Sequence, residues 1–273
     1  MLVEVRHAAG PTILRSPLLA AAGFSHAFST RLGGVSAPPF ESLNLQSVQA
    51  NARIPAGDPR DSDANILENH ARFAAAAGLA RDATVADVSQ VHGCTVILSS
   101  DALRERTAAD AIVSPRGSSA ILIRIADCVP VLLADPRTGA VAAVHAGWRG
   151  VVAEVVPAAV KALKAHGADP DDLRAAVGPC ISATHFEIGP EVADALSAVG
   201  LASCVHAPGI HGPRHHADLA HAVRLQLARA GLASAHIDAE PPCTYADRAR
   251  FHSYRRDGVA SGRLAAIIAP RQA

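Results

Sequence analysis

The sequence predicts an α/β fold in which mixed sheets are covered by helices, and three observations carry that expectation. Strand-length apolar runs interleave with helix-period segments along the chain, no unit repeats at a fixed period, and 49% of the 273 residues are hydrophobic. Such a composition supplies a substantial core, and the chain reads as a single domain over residues 1–273.

In chain order, strand-like pieces at Leu2 to Val5 and Ser25 to Phe28 flank an apolar segment, Pro17 to Gly23. That segment has the length of a minimal signal-peptide core but lacks a cleavage context, so it reads as ordinary core. Paired glycines (Gly33, Gly34) and prolines (Pro38, Pro39) make residues 31–45 a loop with a fixed path. Ala64 to Gly78 has helical periodicity, with Ile66, Leu67, His70 and Phe73 on one side and Gly78 as the stop. Thr84 to Leu98 reads as strand, turn, strand, broken at Gln90 to Gly93. Asp101 to Thr107 is polar, and Asp110 to Val113 opens a short strand. A helix follows over Val151 to His166, then a strand over Leu173 to Val177 and a helix over Glu191 to Ala198. His206 to Asp218 reads as loop, Leu219 to Gly231 as helix, and Leu264 to Ile268 as the final strand.

Lys plus Arg equals Asp plus Glu at 25 each, so no global field recruits nucleic acid or an acidic membrane surface. A small substrate fits that balance. No apolar run reaches the roughly 18 residues of a membrane span. The five cysteines are odd in number, widely spaced and without a CxxC, which argues for a reducing cytoplasm.

The chemistry concentrates between Ala120 and Val151. This stretch reads as strand, tight turn at Asp135 to Gly139, strand and Gly-rich loop. Residues whose numbers sum to about 273 or 274 should face each other, which pairs Cys128 with His145. The pair can share a metal ion or act as nucleophile and base. Cys128 alone would be inert core, and His92 alone a surface residue; if the turn at Gly93 aims His92 inward, a three-ligand set results.

Gly33-Gly34-Val35-Ser36, Pro39 to Leu45, Gln90-Val91-His92-Gly93, Ala109-Asp110-Ala111, Ala126 to Val131, His145 to Gly150, Gly178 to Ile181 and Phe251 to Arg256 together resemble the laccase-domain, or multicopper polyphenol oxidase-like, family. The resemblance runs from about Phe24 to Ile268. It implies a zinc site of His92, Cys128 and His145, and a fold similar to the cytotoxic necrotizing factor-like cysteine hydrolases. It also implies phosphorolysis of adenosine, inosine and methylthioadenosine, with adenosine deaminase activity. Polyphenol oxidation with copper and a role in peptidoglycan editing are the family's other associations.

Multicopper chemistry needs many paired histidines, and no His-x-His pair occurs outside the proposed ligands; copper could still bind a Cys/His₂ set. His211, His215 and His216 read as a solvated loop. For deamination, Asp127 is the nearest carboxylate, although strand alternation turns it away from Cys128 unless the backbone bends; a structural hydrogen bond is the alternative. For phosphate, Arg149, Arg31 and one of Arg255 and Arg256 are candidates. Asn44 is a candidate for a ribose hydroxyl, with turn stabilisation as the alternative, and Cys180 reads as a packed turn residue. The first expectation is thus a zinc-dependent purine nucleoside phosphorylase, monomer or homodimer, taking nucleoside and phosphate. A metal-free Cys128/His145 hydrolase and a non-enzymatic binding factor stand beside it.

Overall fold

Strands with apolar residues on both faces need a covering layer on each side, and the chain provides four layers. The structure, a computed structural model, describes residues 1–8, 10–104 and 107–272. In chain order the strands are β1 (Val3–Arg6), β2 (Thr12–Arg15), β3 (His26–Ser29), β4 (Val85–Ala86), β5 (Val96–Leu98), β6 (Ala111–Ser114), β7 (Ala120–Ile125), β8 (Val129–Ala134), β9 (Val141–Ala146), β10 (Arg174–Val177), β11 (Glu187–Ile188), β12 (Val205–His206), β13 (His215–Ala217), β14 (Ile237–Asp238) and β15 (Leu264–Ile268). The α-helices are α1 (Pro17–Ala21), α2 (Val48–Ala52), α3 (Asp63–Ala76), α4 (Ser99–Arg104), α5 (Trp148–Val152), α6 (Val155–Ala165), α7 (Pro190–Ala198), α8 (Leu219–Arg229) and α9 (Tyr254–Asp257).

One sheet has the order β1-β2-β3-β15-β7-β4 and a second the order β14-β10-β8-β9-β6-β5; β11, β13 and β12 make a small third. Pairing is antiparallel except at β4–β7, β10–β14 and β5–β6, so both large sheets are mixed. Side-chain alternation sorts the layers. Ile121, Ile123 and Ile125 of β7 meet Leu132 of β8 and Ala143 of β9 between the sheets, while Leu122 and Ile267 turn outward onto Phe73 of α3. Val131, Leu133 and Val144 turn the other way, onto Val156, Val160 and Leu163 of α6 and Val223 and Leu227 of α8. No described helix is long and apolar enough to cross a membrane.

Several sequence expectations need correction. The two strands within Thr84 to Leu98 form no hairpin, because β4 joins the first sheet and β5 the second. Likewise β7 and β8 lie in different sheets, separated by a bend at 126–128. Leu67 is 61% exposed, and the buried stripe of α3 runs through Ile66, Asn69 and Phe73 instead. Pro17 to Gly23 holds α1, which starts at a Ser16 cap and buries Leu19. Asp101 to Arg104 is helical, and Glu105 and Arg106 lie outside the described residues. His215 and His216 belong to β13 rather than to loop.

The β8–β9 register also differs from the expected one. His145 pairs with Pro130 and Val129 with Ala146, so paired numbers sum to 275. The connection is a six-residue loop, closed where the Asp135 amide donates to the Ala140 carbonyl, with Arg137 N and Thr138 Oγ1 donating to the Asp135 carboxylate. A shift of two residues preserves the face, because side chains alternate with period two. Cys128 therefore sits diagonal to His145 on the inter-sheet side, instead of directly opposite.

Candidate metal centre

Three segments converge at one end of the inter-sheet layer: the bend before β8 carrying Cys128, the end of β9 carrying His145, and the 90–93 turn carrying His92. His92 has φ 61 and Asp127 φ 92, left-handed conformations that cost about 1–3 kcal/mol each in a non-glycine residue and persist only where the surroundings hold them. Asp110 supplies that hold for His92. Its fully buried carboxylate accepts from the amides of His92 (2.9 Å), Gly93 (2.6 Å) and Val91 (3.3 Å), and from His145 Nδ1 (2.8 Å). One carboxylate thus shapes the turn of one ligand and fixes the ring of another, leaving His145 Nε2 free of that bond. Burial raises the Asp110 pKa, but the hydrogen bonds from His145 and Gly93 outweigh it and hold the carboxyl below its usual range.

The ligand atoms of His92, Cys128 and His145 lie within 4.8 Å of one another. The two imidazoles meet edge to face, with centroids 4.8 Å apart. Burial pushes the Cys128 thiol up, yet His145 and His92 beside it bring it down to about 6; burial pulls His145 down, and Cys128 and Asp110 raise it to about 9. Cys128 is therefore poised as thiolate, the form that ligates metals. The site fits a single ion in a second way. A Cβ on Gly147 would stand 2.8 Å from His92 Cδ2 and 3.1 Å from Cys128 Sγ, so only glycine lets β9 turn into α5 this close to the donors. Among the described residues, this is the group of three or more His, Cys, Asp or Glu side chains placed to hold an ion.

The group lies in a cavity of about 970 Å³ whose lining includes Arg53, Arg124, Arg255, Arg263, Phe186 and Tyr254. Of the residues expected at the site, the structure brings His92, Cys128, His145, Asp127 and Arg255 to this cavity. It does not bring Arg149, Arg31 or Asn44. Arg149 is exposed, with its guanidinium 4.2 Å over the Trp148 ring. Arg31 bonds the Glu41 and Arg248 carbonyls. The Asn44 side chain is spent on Asp61 and on the amides of Gln46 and Arg263. Asp127 accepts from Thr244 Oγ1 (2.6 Å) and the Arg255 amide (2.7 Å), the structural bond weighed above. Arg256 is tied to the Thr244, Tyr245 and Phe251 carbonyls, so Arg255 is the cavity member of the tandem. Sequence reading assigned no role to Asp110, although the Ala-Asp-Ala motif marked it, and missed Arg263 and Arg124.

Fold and site together define a mixed α/β protein with a one-cysteine, two-histidine group placed to hold a metal ion, in a cavity lined by four arginines. Residues 25–271 match the family model described as multi-copper polyphenol oxidoreductase laccase, and the chain belongs to that family. It is 39% identical over 262 residues to a purine nucleoside phosphorylase of Deinococcus radiodurans, covering 96% of this chain and 94% of the relative. It is 35% identical over 246 residues to the purine nucleoside phosphorylase YfiH of Escherichia coli, covering 90% and 93%. Among solved structures, a Neisseria meningitidis protein superposes with TM-score 0.76 at 32% identity over 99% of both chains. YlmD of Geobacillus stearothermophilus does so with TM-score 0.81 at 26% identity over 100% of both.

Proposed function

We propose that the chain is a zinc-dependent purine nucleoside phosphorylase of the cytoplasm, acting on adenosine, inosine or methylthioadenosine, with adenosine deamination as a second activity. The observation that carries this reading is the juxtaposition of the His92/Cys128/His145 group with a cavity lined by four arginines and one carboxylate, Asp127. A cationic cavity in a chain of zero net charge suits an anionic co-substrate. Two similar proteins, from Deinococcus radiodurans and Escherichia coli, are named purine nucleoside phosphorylases, which supports the phosphorolysis part of this reading.

One cysteine and two histidines suit zinc, and bound there the ion would supply Lewis acidity beside the substrate. Copper can occupy the same donors. In the reaction, a phosphate oxygen forms a bond to the ribose C1′ while the C1′–N9 bond breaks. The bonding pair leaves with the purine, which takes up one proton, and ribose 1-phosphate is the second product. Tyr254 and Phe186 offer the flat apolar surface a purine stacks on. Asp127 acts by holding Thr244 and Arg255 in place. Arg255 contributes positive charge to the cavity wall.

The assay is direct: zinc-loaded protein with adenosine and inorganic phosphate should release adenine and ribose 1-phosphate in equal amounts, and inosine more slowly. No product, or a Cys128→Ala variant as active as the wild type, would refute the reading. The lowered thiol of Cys128 beside His145 supports a second one, a metal-free cysteine hydrolase. Hydrolysis by zinc-stripped protein that alkylation of Cys128 abolishes would select it.

A further inference from the structure

The geometry points to Arg263, assisted by Arg255, as the holder of inorganic phosphate beside the metal group. This inference rests on the phosphorylase reading and names the subsite that reading requires. Of the four cavity arginines, Arg124 is committed: its Nη2 lies 2.6 Å from Asp87 and its Nε donates to the Leu45 carbonyl. Arg53 is exposed, just past the end of α2. Arg263 differs from both. Its Nη1 donates to the Ser261 (2.9 Å) and Gly262 (3.2 Å) carbonyls, and among the described residues it has no carboxylate partner, nor any hydrogen-bond partner for Nε and Nη2. The guanidinium lies 5.6 Å from the Tyr254 ring centroid, and both residues line the cavity that holds Cys128.

Its backbone is pinned as firmly. Asn44 Oδ1 accepts from the Arg263 amide, and the Leu45 amide donates to the Arg263 carbonyl. Arg255 is fixed by its amide bond to Asp127 and by Nη1 donating to the Glu187 carbonyl. A guanidinium pre-aimed by its own backbone, with an edge still free, matches the paired oxygens of a phosphate dianion. The cavity's one carboxylate, Asp127, accepts from Thr244 and the Arg255 amide and forms no ion pair with the Arg263 guanidinium.

Calorimetric titration of inorganic phosphate into zinc-loaded wild type, Arg263→Gln and Arg263→Lys tests the assignment, alongside KM for phosphate and for nucleoside. Loss of a charge-assisted fork predicts phosphate affinity weaker by about 10–100-fold in Arg263→Gln, with nucleoside KM within about twofold. Arg263→Lys keeps the charge and loses the fork; it should fall between the two, and it carries the test if the glutamine variant fails to fold. Wild-type phosphate affinity in both variants overturns the subsite, even if phosphorolysis proceeds. Arginine-dependent phosphate binding without phosphorolysis would instead leave the subsite standing and overturn the phosphorylase reading. Adenosine 5′-monophosphate that needs Arg263 while free phosphate does not would also overturn the assignment to a free co-substrate.

Discussion

The floor and the wall of the cavity are built by different means. On the floor, Cys128 and His145 flank one antiparallel pair, β8 and β9, and the buried Asp110 carboxylate ties His145 and the His92 turn together over spans of 35 and 18 residues. On the wall, Arg255 and Arg263 come from the last part of the chain and are set by contacts with Asp127, Glu187 and Asn44, up to 219 residues away. The floor is a consequence of strand alternation plus one hydrogen-bond hub. The wall is a consequence of tertiary docking alone, which is why its members cannot be read from periodicity.

That contrast orders the expected effects. Removing a floor ligand should do most: Cys128→Ala should weaken zinc binding by at least about 100-fold, more than loss of an outer partner does, as measured by competition with a chelator. Asp110→Asn keeps the volume but removes the charge that three amides and His145 share. Zinc affinity should fall by about 10–100-fold, with the His145 ring signals broadened in NMR; unchanged affinity would mean that the floor is held by strand pairing alone.

The fold should weaken in acid. His252 is buried beside Arg31, Arg263 and Arg256; burial, and then those guanidiniums, lower its pKa to about 3, while burial lowers His26 to about 4. Both pKa values are depressed in the folded state. Their stabilisation is therefore complete above the unfolded value of about 6.5 and is lost as pH falls toward 4 for His26 and 3 for His252, on the order of 3 and 5 kcal/mol respectively. Thermal melting from pH 7 to pH 4 should show the loss, and a His252→Asn variant should flatten part of it. Smallest of all, Arg149→Ala, outside the cavity, should change phosphate KM by no more than about twofold, a surface substitution away from the site.

How much was legible follows the same division. β15 is read to the residue, because Leu264 to Ile268 is a short apolar run with turn residues before it and Pro270 beyond. The shared face of Cys128 and His145 is legible because period two survives a register shift of two. The register itself is not, since it depends on how the Asp135 side chain closes the loop. Sheet membership is hidden for a related reason. A strand such as β7, buried on both faces, carries no polar alternation to say which neighbour it takes, so its separation from β8 at the 126–128 bend is invisible. His92 is placed by Asp110, and a hub of amides around a carboxylate leaves no spacing in the sequence; family resemblance supplied the third ligand. Asn44 stands out as a residue with a task, and its side chain holds the Arg263 and Gln46 amides and Asp61.

The central claim is one metal ion held by one sulfur and two imidazole nitrogens. X-ray absorption at the zinc edge, on protein loaded with one equivalent of zinc, tests it most directly. The account predicts a single sulfur at about 2.3 Å and two imidazole nitrogens at about 2.0–2.1 Å, with the sulfur shell gone in Cys128→Ala. A spectrum without sulfur, or one unchanged by that substitution, would contradict it.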